Sequence, residues 1–242
     1  MSQKPGDFFV GIVDFFSVLL PGAFLAFVVR LFSHDAWVGK LVPLIDQNLP
    51  DKNERWIAFA FASFVIGHLV FHLGALLDPT YNELYLKPKK GEFPLLSKER
   101  SLKLREMPII STMIAWLPKA NRDALYRRAT ELMTNTDNIT ASDVQTLQWC
   151  SGYVRTHSAD AIALVDGFEA SQKFFRSMVV VFAIYAILCF RTYGSLGASI
   201  FAVLAAGSYL RYCRLRWKMT QAAFLFYIQL RTAEEAKQGP AK

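Results

Sequence analysis

The chain has 242 residues, of which 53% are hydrophobic and 19% charged, and its net charge is +7. The apolar residues are gathered in four blocks, which excludes a soluble globular, a disordered or a disulfide-scaffold protein. What remains is a multi-spanning membrane protein with a medium-sized polar insert.

The first block runs from Phe8 to Phe32, with Asp14, Pro21 and Arg30 inside it. It lacks a basic leader, carries Asp7 and Asp14 and has no clear small-residue cleavage site, so it reads as a retained helix rather than a signal peptide. Pro21-Gly22 predicts a kink, with neighbouring helices satisfying the freed carbonyl. The second block, Trp56 to Leu77, holds 22 residues and no formal charge. A span needs about 20 mostly apolar residues, and this block meets that outright. The third, Phe174 to Phe190, has Arg176 near its start, and the fourth, Leu196 to Cys213, has Arg211 near its end. Both qualify if the charge sits at an interface.

Lysine and arginine set the orientation. There are three in Asp35–Arg55, thirteen in Pro79–Lys173 and seven in Arg211–Lys242, whereas the turn between the last two blocks has only Arg191. Two basic-rich segments separated by two spans belong on one side, the cytoplasm. The expected fold class is all-α: a four-span transmembrane helical bundle with a cytoplasmic helical insert between spans two and three and both termini inside. Residues 1–78 form a transmembrane hairpin (spans 8–32 and 56–77), 79–173 the insert, 174–213 a second transmembrane hairpin, and 214–242 a cytoplasmic helical extension and tail. Trp56 marks the outer interface, and Trp217 lies just inside the inner one. The expected location is a bacterial inner membrane.

Within the insert, Leu95–Glu106 and Ile109–Trp116 are short helix candidates between prolines. A clearer helix follows Pro118 through Arg122, Leu125, Arg128 and Leu132, ending at the turn-forming Thr134-Asn-Thr-Asp-Asn. Ser142 with Gln145 has capping-box spacing and predicts a helix through Leu147 and Tyr153. Another starts near Ser158–Asp160, and its three-to-four repeat of Ala161, Leu164, Val165 and Phe168 runs unbroken into span three. Phe224, Tyr227, Ile228 and Arg231 predict a similar inward extension of span four. The two extensions should pack together and support the insert. Cys150, Cys189 and Cys213 have no metal-type spacing and read as free thiols. Asn138-Ile-Thr matches a glycosylation acceptor but falls on the predicted cytoplasmic side.

His68 and His72 lie four apart and share a helix face, about 18 and 24 Å from Trp56 at 1.5 Å per residue. Asp14 falls at comparable depth in span one. Ionisable groups in a span are costly and face a bundle interior or a wet cavity. The functional reading is a pore lining or proton-sensitive gate, and the structural one is a hydrogen-bonded cluster joining two helices. A metal site would need a third ligand, Asp14 or Asp78, and the pair lacks the adjacent Glu of the zinc-protease motif. No metal or other cofactor is expected. Glu169, Lys173 and Arg176 form a charged stripe where a helix enters the membrane. Either Arg176 snorkels to lipid phosphates or the stripe couples insert to spans.

The basic series Lys87, Lys89, Lys90, Lys98, Arg100, Lys103 and Arg105 suits anionic lipid or a phosphate-bearing ligand. A nucleotide or oligonucleotide site would extend to Arg122, Arg127, Arg128 and Arg155, with Trp149 and Tyr153 as stacking partners. Ala198, Ala202 and Ala206, beside Gly207, have the spacing of a close helix contact, within the subunit or between subunits. No catalytic triad, P-loop, dinucleotide glycine signature or Arg-x4-6-His nuclease motif is present, so no catalytic residue is expected.

Asp14-Phe-Phe-Ser-Val-Leu-Leu-Pro-Gly22 in span one and Lys173-Phe-Phe-Arg-Ser177 entering span three resemble the small multi-spanning membrane effectors of bacterial phage-defence systems. The likeness of layout covers most of the chain, but the motifs are short. It implies a homo-oligomer that disturbs the membrane when a nucleotide or partner protein acts on its cytoplasmic part. The leading expectation is therefore a homo-oligomeric effector or gated ion channel with a role in antiviral defence, its polar membrane site made by Asp14, His68 and His72. The alternative is a membrane scaffold that recruits a cytosolic partner through its basic surface. A third option is an intramembrane metal enzyme.

Overall fold

The computed structural model describes residues 15, 17–28, 51–85, 122–137, 139 and 145–238. The described residues form helices joined by short connections, with no strand among them. The elements are α1 (Ser17–Val28), α2 (Lys52–Ala75), α3 (Asp78–Tyr85), α4 (Arg122–Asp137), α5 (Thr146–His157), α6 (Ala159–Tyr193) and α7 (Ser195–Gln238). Asp14, the lysines and arginines of the 87–105 series, and the helix candidates 95–106 and 109–116 lie outside the described residues.

Among the described residues, three helical stretches are long and apolar enough to cross a membrane: Lys52–Tyr81, Ala159–Arg191 and Ser195–Lys237. α1, the described part of the first apolar block, is a shorter apolar helix. It runs through Pro21 without a break in its helical assignment.

Local chemistry explains where the helices begin and turn. Asp51 caps α2, its carboxylate accepting from the Asn53 amide at 3.0 Å. Ser158 serves two helices. Its amide donates to Val154 at the end of α5, and its hydroxyl accepts from the Ala161 amide at 3.3 Å to open α6. Gly194 alone separates α6 from α7, with φ +76° and ψ −160°. That backbone region is closed to residues with a Cβ, so the reversal that makes an antiparallel hairpin depends on glycine there.

The hairpin is longer than any bilayer. α6 has 35 residues and α7 has 44, hence about 52 and 66 Å at 1.5 Å per residue, against a hydrocarbon layer of about 30 Å. Its two ends serve different cores. At the turn end, Leu25, Val28, Val70, Val181 and Tyr185 bring α1, α2 and α6 together. Phe24, Phe182, Tyr185 and Phe201 form an aromatic cluster, and the Tyr185 hydroxyl donates to the Phe24 carbonyl. At the open end, Ala129, Met133, Cys150, Val154, Val165, Ala223, Phe224 and Tyr227 make a second core from α4, α5 and the outer halves of α6 and α7. The unbroken repeat through residue 168 is thus one continuous helix, and the two extensions do pack on each other.

Surface chemistry differs between the ends. Among the described residues, the large hydrophobics that stand exposed, except Leu164 and Leu225, belong to α1 and α2 with the flanking Phe15 and Leu76, or to the turn-end parts of α6 and α7. Water would not tolerate so much apolar surface, whereas lipid would. The helices meet there through small residues. A Cβ on Gly22 would fall on the backbone of Ser63 and Gly67, and a Cβ on Gly67 on the carbonyl of Val18. α1 and α2 therefore cross with backbone against backbone, the contact small residues permit in membranes. Among the described residues, no helix approaches the alanine stripe on α7 in this way. Ala202, Ala206 and Gly207 are exposed, and a Cβ on Gly207 would meet nothing within 4 Å.

Two helix limits differ from expectation. Gln145 has φ −66° and ψ 115°, so it precedes α5 as N-cap instead of sitting inside a capping box. Thr134–Asp137 continue α4 rather than forming a turn. Thr136 is held there by a hydrogen bond to Glu235, 3.2 Å away on α7.

Candidate functional site

Between the two cores lies a charged junction. α2 ends in a turn at Leu76–Leu77, and α3 opens on Asp78 and Pro79, a proline position that costs no helical hydrogen bond. The Asp78 side chain is thereby turned towards the hairpin. Its Oδ2 accepts from Arg176 Nη1 at 2.8 Å, and its Oδ1 from the Tyr212 hydroxyl and from Arg216 Nη1. Arg216 Nη1 also reaches the Tyr212 oxygen at 2.8 Å. Arg176 lies over the Phe71 ring at 4.6 Å and Arg216 over the Tyr81 ring at 4.8 Å. Tyr81, Tyr212 and Cys213 are buried beneath. Gly74 makes room for the stem of Arg176, whose Cγ would be 3.2 Å from a Cβ at that position. One carboxylate thus ties α2–α3 to both arms of the hairpin.

In the sequence Asp78 stands out only as a third metal ligand, and Tyr212 and Arg216 belong to no motif. A depth count would have found them. Asp78 is the first charge after span two, Arg176 stands three residues inside span three, and Arg216 three residues beyond span four. Arg176 is 8% exposed and engages Asp78, where the sequence suggested a snorkelling side chain. Its two stripe neighbours pair with each other, Lys173 Nζ lying 3.1 Å from Glu169.

His68 and His72 are exposed, on the side of α2 away from its buried residues Ser63, Gly67, Val70 and Gly74. His68 meets the Phe64 ring edge-on at 4.5 Å, and Phe64 stacks on Phe15 at 5.8 Å. The start of α1 is therefore near His68. Among the described residues no group of three His, Cys, Asp or Glu could hold a metal ion.

At the open end, Tyr153 is enclosed. His157 stacks on its ring at 3.9 Å, the Arg231 guanidinium lies 4.3 Å from the ring centre, and its hydroxyl donates to Glu234 at 2.5 Å. Two groups that close to the ring centre must occupy opposite faces, which leaves no face for a nucleobase. Arg155 donates to Asp166 at 2.7 Å, and Trp149 packs against the core. Arg127 and Arg128 are exposed, and Arg128 lies 3.6 Å from Glu131. Arg122 belongs to α4, with its side chain outside the described residues. Of the expected stacking site, the described Trp149, Tyr153 and Arg155 are thus engaged by other residues of the chain.

The open-end core also shifts acidities. Burial pushes the Cys150 thiol up to about 12 and the Tyr227 phenol up to about 12. The Tyr153 hydrogen bond, aided by Arg231 and His157, holds the Glu234 carboxyl below the usual carboxylate range. All three cysteines are buried free thiols. No protein-family model, curated protein or solved structure matches the chain.

Proposed function

We propose that this chain is an integral membrane effector, a homo-oligomeric gated channel or membrane-perturbing protein controlled through its polar helical part. The observation that carries this reading is the α6–α7 hairpin. Each helix passes without a break from the polar four-helix core into the apolar belt. A displacement of that core would be delivered to the membrane helices as rigid motion rather than absorbed by a linker. The Asp78 junction pins α2 to the same hairpin, so the movement would reach it too.

In this reading α1 belongs to a fourth span, and the insert and both termini face the cytoplasm of a bacterium, as the lysine and arginine asymmetry supports. Oligomerisation is supported by the exposure of His68, His72 and the Ala202–Ala206 stripe. Ionisable groups on a spanning helix are costly against lipid, and a second copy or a wet pore would relieve that cost. Asp14 would join the histidines. A phage-defence role rests on the resemblance in spans one and three.

Reconstituted vesicles test the function. Ion or dye efflux from vesicles holding the wild-type chain, altered by Asp14→Asn or His68→Ala, is the expected result. Normally inserted protein that releases nothing with any nucleotide or lysate fraction, and that co-purifies with a stoichiometric soluble partner, would replace the channel with a scaffold.

A further inference from the structure

Among the described side chains, the Asp78 junction holds more positive than negative charge. Two guanidiniums, Arg176 and Arg216, face one carboxylate, and among the described side chains Asp78 is the only acid in contact with either. Both arginines are largely withdrawn from water, with side-chain exposures of 10% and 24%. A charge in such a place is costly unless it is paired. Donors are also left over. Each arginine engages Asp78 through Nη1 alone, although a guanidinium carries five N–H donors in a fork. Arg176 Nε is buried and meets no hydrogen-bond partner among the described residues. The junction is not sealed, since Asp78 is 30% exposed, and it stands where the apolar run of α2 ends, the depth of lipid head groups.

We propose that Arg176 and Arg216 form a binding site for a phosphate group at the membrane boundary, beside the Asp78 carboxylate that pairs with one N–H donor of each guanidinium. Phosphate oxygens would accept from guanidinium donors that Asp78 does not engage and add negative charge beside the two arginines, in the planar pairing that suits arginine rather than lysine. The source is a phospholipid head group or a free phosphate. This site does not depend on channel activity.

The full chain is reconstituted in nanodiscs of phosphatidylcholine, alone or with phosphatidylglycerol, and returned to mild detergent. Native mass spectrometry then reads the phospholipid that stays bound. A second arm adds inorganic phosphate to delipidated protein and follows the thermal midpoint. The wild-type chain should retain phospholipid, and Arg216→Gln should lower retention at least tenfold, about 1.4 kcal/mol. Asp78→Asn removes the competing carboxylate and should retain as much or more. A midpoint raised by inorganic phosphate, without lipid retention, would support the site and assign it to a free anion. Neither lipid retention nor a phosphate shift in the wild type would overturn the proposal. So would Asp78→Asn losing lipid as fully as Arg216→Gln, because the cluster would then serve only to hold helices. Should Arg216→Gln not fold, Arg216→Lys keeps the charge and loses the fork. It must show a partial loss, and unchanged retention overturns the proposal.

Discussion

Arg176 Nη1 lies 2.8 Å from Asp78 Oδ2 although the two residues are 98 positions apart. They come from the two ends of the polar insert, so this contact closes the insert where it leaves and re-enters the apolar belt. Removing one partner of a buried ion pair leaves a stranded charge, which costs about 3–5 kcal/mol. Asp78→Ala should destabilise by about 3 kcal/mol, at the lower end because the aspartate is partly exposed. Asp78→Asn, which keeps an acceptor oxygen, should cost less. Thermal unfolding in detergent reads both, and an Asp78→Ala midpoint equal to wild type would show the junction to be energetically idle.

The glycine crossing of α1 and α2 yields a size-dependent prediction. Gly22→Ala and Gly67→Ala each place a methyl against backbone that has no rotamer to move. Overpacking of that kind costs about 1–3 kcal/mol. Gly167 is a control: it lies inside α6 with nothing within 4 Å of an added Cβ. Gly167→Ala should stabilise by about 0.5–1 kcal/mol through helix propensity. Gel-filtration profiles and unfolding midpoints of the three variants should separate in that order.

Acid sensitivity should come partly from Glu234. Its carboxyl is held low by the Tyr153 hydroxyl first and by Arg231 and His157 after it. A carboxyl whose folded pKa lies below its unfolded value contributes stability above the unfolded value and loses it as pH falls through the folded one. The midpoint of the wild type should therefore decline as pH drops below about 4.5. Glu234→Gln should flatten that decline, and Tyr153→Phe should do so in part. Equal slopes for wild type and Glu234→Gln would remove this carboxyl from the account.

Thiol chemistry gives a simple check on burial. With Cys150 pushed up to about 12 and Cys189 and Cys213 also buried, little thiolate is exposed near neutral pH. A maleimide should label the folded chain slowly and take up three equivalents after denaturation. Fast labelling of native protein at Cys150 would mean that α4 and α5 leave their core.

The sequence carried the α6 start in two local signals, the Ser158 cap and the repeat from Ala161 to Phe168. Both act within one or two turns, and both survive in the fold. It misread the start of α5 and the end of α4 for the same kind of reason. Ser142–Gln145 and Thr134–Asp137 are weak local preferences, whereas Thr146, Cys150 and Val154 gain by facing the core and Thr136 by reaching Glu235. Burial outweighs a capping preference of about 1 kcal/mol. Tyr153 and Arg155 looked like ligand groups because the sequence does not display the carboxylates that meet them, Glu234 from 81 residues away and Asp166 from 11.

Composition and periodicity determined that the chain is helical, that its apolar stretches suit a membrane, and that two of them continue as polar-faced extensions. Those properties follow from each residue's own preference for lipid or water and from spacing along one helix. The tertiary structure decided which residues share a site. Asp78 meets Arg176 and Arg216 because a one-residue reversal at Gly194 lays α7 along α6 and a turn after α2 aims one carboxylate at both. His68 and His72 were left on the outer face because the glycine and small-residue side of α2 allows the closest approach to its neighbours. Side-chain partners across helices depend on rotation and register, and a one-dimensional pattern does not contain them.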